Sequence, residues 1–178
     1  IAVYKTAGCS GNTRGGRFGG ITGNTASNYI VYDTNTVDYT SFHTTNNASS
    51  FGTLHNRNSI SSACASATRW VHKSGEQFNL ISGRTYHIRM DYWTADSGGT
   101  AGDFGDCDDG SNGLSSHTVG MSDGTRGEFW AGYNSAGSGV ADNVFYITIA
   151  SASNATDAGN LYDGIEFMHG GGFSGAAT

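Results

Sequence analysis

Charged residues make up only 13% of this chain, proline is absent, and no basic cluster interrupts a net charge of −6. Each shortage excludes something. Ordinary disorder needs high net charge and few aromatics, whereas aromatics here reach 12%. A nucleic-acid partner needs clustered Lys and Arg to neutralise phosphates. Membrane insertion by a helix needs an apolar run of about 20 residues, and none is present. Three cysteines, Cys9, Cys64 and Cys107, make an odd number, which a disulfide framework disfavours. They read instead as small buried hydrophobes with free thiols.

Catalytic patterns are also scarce. The single Gly-x-Ser-x-Gly match, Gly120–Gly124, is followed by no helical pattern and so lacks the strand–turn–helix context of a nucleophile elbow. The six histidines are scattered and unpaired. Glycosidases use paired carboxylates, and no pair among Glu76, Glu128, Glu166 and the aspartates has a rationale in the sequence. The expectation is a non-enzyme without a cofactor.

What is abundant is glycine, 28 residues, together with Ser, Thr and Asn. That composition predicts many short strands joined by polar turns. The dominant signal is an internal repeat. Gly52, Gly105 and Gly159 anchor three segments that align without a gap: 37–63, 90–116 and 144–170. Tyr39, Tyr92 and Tyr146 coincide, as do Ala48, Ala101 and Ala155. Leu54 and Leu161 share their position with Cys107. Upstream, Arg14, Arg69 and Arg126 share another position, five residues after Cys9, Cys64 and Met121. The chain therefore divides into repeats of about 54 residues: 8–63, 64–116 and 117–170. Residues 171–178 read as the start of a further repeat or a closing strand. The predicted fold is all-β, and three arginines at one repeat position predict a structural bridge between adjacent units. Val144–Ile149 reads as strand, as does the imperfect alternation of Tyr86–Trp93. Gly23–Asn28 and Tyr133–Asp142 read as loops.

The run Asn143–Leu161 and the segments Thr13–Gly20, Thr125–Gly132 and Thr100–Cys107 resemble the kelch-like repeats of structural proteins from tailed phages, especially those of marine cyanobacteria. The second copy departs from the pattern, with Trp70-Val-His in place of the Gly-rich stretch. The resemblance implies β-propeller blades of four strands each. A β-trefoil or β-prism is the alternative, because three copies fall short of the 4–8 blades of a typical propeller. It also implies a virion or extracellular location, with other copies of the chain or other virion subunits as partners.

Two groups of residues stand out as candidate sites. Asp103, Asp106, Asp108 and Asp109 put four carboxylates on one loop, a donor set suited to Ca²⁺. The repeat alignment also accounts for this loop as an acidic turn. Trp70, Trp130, Tyr133 and Tyr32 lie where the repeats diverge, and aromatic faces can stack on sugar rings. The functional expectation is a non-catalytic phage virion, tail-fibre or surface adhesion protein contacting a host-surface glycan. A soluble lectin is the alternative, and a hydrolase on a β scaffold the third reading.

Overall fold

The computed structural model describes residues 3–23, 31–79, 83–108, 113–134 and 139–163. Among these every regular element is a strand. From the start of the chain to Thr53 they are β1 (Val3–Tyr4), β2 (Ala7–Ser10), β3 (Arg14–Phe18), β4 (Ile21–Gly23), β5 (Val31–Asp33), β6 (Thr36–Ser41) and β7 (Ser49–Thr53). Next come β8 (Ser62–Ala65), β9 (Arg69–Lys73), β10 (Glu76–Asn79), β11 (Gly83–Tyr86), β12 (Arg89–Thr94), β13 (Gly99–Thr100) and β14 (Gly102–Asp106). The last are β15 (Leu114–Ser116), β16 (Val119–Ser122), β17 (Arg126–Asn134), β18 (Val140–Thr148) and β19 (Thr156–Asn160).

Each sequence repeat folds as one antiparallel four-stranded sheet. The strand orders are β2-β3-β6-β7, β8-β9-β12-β14 and β16-β17-β18-β19. The third and fourth strands of every sheet carry a bulge at the same repeat position: Val37/Asp38, Met90/Asp91 and Val144/Phe145. The sequence match thus extends to a backbone irregularity that bends each outer edge alike.

Between the second and third strands each repeat makes a different excursion. In the first it is the hairpin β4–β5, with β1 added at its edge. In the second it is the hairpin β10–β11. In the third, β17 and β18 run on beyond the sheet, and β15 pairs with the end of β17. The stretches expected to be loops are therefore partly strand: Gly23 closes β4, and Tyr133, Asn134 and Val140 belong to the long β17–β18 ladder. Hairpin pairing satisfies their backbone groups despite turn-like composition. The strand expected over Tyr86–Trp93 is interrupted at His87 and Ile88, where the chain passes from β11 to β12.

Apolar side chains pack between successive sheets. Sheets one and two enclose Phe18, Val37, Phe51, Leu54, Trp70 and Trp93. Sheets two and three enclose Cys64, Val71, Met90, Phe104, Cys107, Phe129, Phe145 and Ile147. Alternation along each strand produces this: Trp70 and His72 face the first sheet, Val71 and Lys73 the third. The Trp70 ring meets Phe18 edge-on at 5.9 Å and Phe51 at 4.7 Å. All three cysteines are free, with Cys64 and Cys107 buried and Cys9 half-buried. Burial pushes the Cys107 thiol up to about 12.

Two of the three arginines that share a repeat position, Arg14 and Arg69, bridge adjacent sheets. Each guanidinium lies over the repeat's own tyrosine: Arg14 over Tyr39 at 4.7 Å, Arg69 over Tyr92 at 4.7 Å, Arg126 over Tyr146 at 3.9 Å. Arg14 then donates to the Asp96 carbonyl of the second sheet at 3.2 Å. Arg69 donates to the Ile149 and Ala150 carbonyls of the third at 3.0 and 2.8 Å. Arg126 instead pairs with Glu128 within its own sheet at 2.9 Å.

Candidate functional site

The excursions break the repeat, and they meet at one end of the molecule. β10 lies beside β5, and the Phe78 amide donates to the Asp33 carboxylate. Ser59 and Glu76 exchange both backbone hydrogen bonds, at 2.8 and 3.0 Å. Beneath them runs a ladder of three residues in left-handed backbone conformation: Lys5, Ile60 and His117, with φ of 57°, 52° and 60°. The Ile60 amide donates to the Lys5 carbonyl, and the His117 amide to the Ile60 carbonyl, both at 3.1 Å. The three stand at one repeat position, four residues before Cys9, Cys64 and Met121. This conformation is uncommon for residues with side chains and persists only where surrounding contacts enforce it.

Two carboxyl groups are buried at this end, Asp33 and Glu76. Burial raises the pKa of Asp33, opposed by the hydrogen bond from the Phe78 amide and by the charge of Lys5. Burial likewise raises Glu76; Arg84 and Lys5 oppose the shift, and the nearby Asp33 adds to it. The Arg84 guanidinium stands 3.5 Å from Glu76. Among the described residues, Asp33 Oδ1, Asn58 Oδ1, the Ser59 hydroxyl and Glu76 Oε2 are buried without a hydrogen-bond partner, Glu76 Oε2 facing Arg84 as an ion pair. Such groups are uncommon in folded proteins, and here they gather where the repeat is broken. Around them the surface carries Tyr32 and Arg84, both exposed. Sequence reading missed Asp33 and Glu76 as a pair. They lie far apart in the chain, and only the packing of β10 on β5 brings them together.

A second cluster lies inside the second sheet. Lys73 is fully buried and its amine has no hydrogen-bond partner. Burial lowers it to about 7, against a partial opposing pull from Cys107. His72, next to it on the opposite face, stacks on Phe18 at 5.4 Å, and burial with the Lys73 charge lowers it to about 3. The repeat alignment offers the available signal for Lys73, which stands where the other copies carry Phe18 and Trp130.

The predicted aromatic residues separate. Trp70 is fully buried in the first intersheet core, so it is a packing residue and not a surface for ligand. Trp130 is half-buried on the outer face of the third sheet and donates to Glu128 at 2.9 Å. Tyr133 is half-buried with its ring 5.1 Å from His117. Tyr32 alone of the four is exposed, on β5 at the hairpin end. The aspartates of the acidic loop also diverge. Asp103 pairs with Arg89 at 2.9 Å and accepts from the Gly105 amide at 3.1 Å. Asp106 accepts the Ala155 amide through its carbonyl. Asp108 is half-buried beside Gly113. Asp109 lies outside the described residues. Among the described residues, no three His, Cys, Asp or Glu side chains come together as a metal site would require.

No family model matches the chain, and no curated protein matches it. The chain is similar in structure to a solved protein, YjhT, with a TM-score of 0.67 at 10% sequence identity. The likeness takes in 91% of this chain but 54% of that one. The chain thus spans about half the length of the protein whose fold it shares.

Proposed function

We propose that this chain is a non-catalytic binding and display module, its repeats acting as propeller-type blades and its hairpin end as the ligand-facing surface. Four-stranded meanders in each repeat favour blades over a trefoil or prism. One observation carries the functional reading. Residues shared between repeats are used in holding sheets together, while the three divergent excursions converge on one end. A scaffold that keeps its repeated positions for packing and varies one set of loops has the division of labour of a recognition protein.

The ligand class that suits this end is polyhydroxylated. The exposed Tyr32 ring provides a stacking face. Arg84, exposed beside it, donates hydrogen bonds. A host-surface glycan, met by a virion or another extracellular assembly, satisfies that chemistry. The test is binding of the chain to a glycan array, followed by titration calorimetry on any hit. Tyr32→Ala and Arg84→Ala should each weaken binding about tenfold or more. Absence of glycan binding, or binding unaffected by both changes, overturns the reading.

A second reading has a specific observation behind it. Asp33 and Glu76 form a buried carboxyl pair with raised proton affinity, the environment in which a glycosidase holds its acid. Turnover of an aryl glycoside, lost in Glu76→Gln, would favour a hydrolase over a display module.

A further inference from the structure

The contacts that join the first sheet to the second recur, position for position, between the second and the third. Arg14 meets the Asp96 carbonyl, and Arg69 meets that of Ala150. The Ala101 amide donates to the Thr53 carbonyl at 3.1 Å, and the Ala155 amide to the Asp106 carbonyl at 2.8 Å. Gly52 lies against the backbone of Gly99, and Gly105 against that of Ser153; a Cβ at either glycine would overlap that backbone. Each sheet thus presents an arginine, a carbonyl and a bare glycine on its trailing side. The next sheet presents a turn that receives all three.

The third sheet carries the same trailing set in Arg126, Asn160 and Gly159. Among the described residues nothing lies against the position of a Cβ at Gly159, and every residue of β19 is exposed. The positions filled by Val37 and Met90 in the intersheet cores are held here by Val144, now only half-buried. A groove of about 310 Å³ runs along Met121, Ser122, Asp123, Arg126 and Glu128.

The leading side of the first sheet is uncovered in the matching way. Its turn, 42–50, is exposed throughout. Ala95 and Ile149 occupy one repeat position and are 2% and 0% exposed; their counterpart Phe42 is 55% exposed. The two bare surfaces are the two halves of an interface the molecule already makes twice.

We infer that a second copy of this chain covers both, head to tail, so that two chains close a ring of six sheets. In that ring Phe42 of one chain enters the groove at Met121–Glu128 of the other. The Arg126 guanidinium donates to the His43 carbonyl, the Ala48 amide donates to the Asn160 carbonyl, and Asn46 backs onto Gly159. The size fits independently: the chain matches 54% of the solved protein whose fold it shares, so two copies supply the whole. The inference does not depend on what ligand the hairpin end takes.

Sedimentation of the 178-residue chain tests it. The expected mass is twice 18.5 kDa. A monomer at micromolar concentration, or an assembly of any other size, overturns the six-sheet ring. Phe42→Asp and Arg126→Glu, each checked for retained β structure by circular dichroism, should separately weaken the dimer about 30-fold or more. A mixture of the two variants keeps one intact leading face and one intact trailing face, so mixing should partly restore association. Restoration supports the head-to-tail arrangement. Failure to restore, with both variants folded, overturns it, as does a dimer that neither substitution weakens.

Discussion

Lys73 shows how one residue can set the pH response of a fold. Its amine is buried without a hydrogen-bond partner and titrates near 7 in the folded chain, against an ordinary value of 10.5. Between those values the unfolded chain binds a proton that the folded chain does not. Stability therefore rises with pH from about 7. The buried thiols act in the opposite sense above their ordinary value of 9.0, because Cys107 keeps its proton in the fold up to about 12. Chemical denaturation as a function of pH should show stability still climbing above about pH 7, beyond the range from about 3 to 6.5 in which buried His72 contributes, and turning over near 9. In Lys73→Met the climb should vanish, with a gain of about 1–4 kcal/mol at neutral pH, the usual result of replacing a buried charge with an apolar side chain of similar volume. Cys107→Leu should cost no more than about 1.5 kcal/mol, since Leu54 fills the same position in the first repeat. Thiol titration of the denatured chain should count three free sulfhydryls. The cysteines were legible in sequence because the alignment supplied Leu and Met as their equivalents. Lys73 was harder to recognise, because a lysine reads as surface until the sheet on its far side is known.

At the scale of the strand, the edge glycines decide how closely sheets approach. Gly105 combines φ of 128° with the Ser153 backbone where its side chain would be, while at Gly83, with φ of 82°, no described residue stands in the way. Alanine at Gly83 should cost about 1 kcal/mol from backbone strain alone. Alanine at Gly105 adds a collision with main chain and should cost well over about 2 kcal/mol. Urea denaturation of the two variants checks the contrast. The glycine anchors could be found from spacing alone, and the all-β character from composition. The hairpins could not. Their Gly, Ser and Asn content suits a turn as well as a short ladder, and pairing partners rather than composition decided between them. The Asp33–Glu76 pair was hidden for the same reason, since it exists only where β10 packs on β5.

For the whole molecule, coupling between sheets is directional. Arg69 makes two hydrogen bonds across the second interface as well as resting on Tyr92. Arg69→Ala should lower unfolding stability by about 2 kcal/mol, the range for charged hydrogen bonds across a part-buried interface. Arg69→Lys should recover little of it, because an ammonium lacks the planar fork that reaches both carbonyls. Hydrogen exchange is the sharper readout: amides of β18 should lose protection in Arg69→Ala before those of β6 do.

The pairing of β13 with the outer edge of β7 has a consequence for how such a chain lengthens. A short parallel strand from the second repeat shields a sheet edge of the first, and edges left bare invite unwanted pairing. The second block thus carries a strand lid for the first, while the third reaches the outer edge of the second through the Ala155 amide and the Asn154 side chain, both on Asp106. Duplication in tandem preserves that arrangement wherever it occurs, since the new block arrives with both halves of the joint. Loss of part of a block would leave one joint with a lid and no edge. The unit of inheritance in such a lineage is the whole repeat, and the excursions at one end are free to diverge within it.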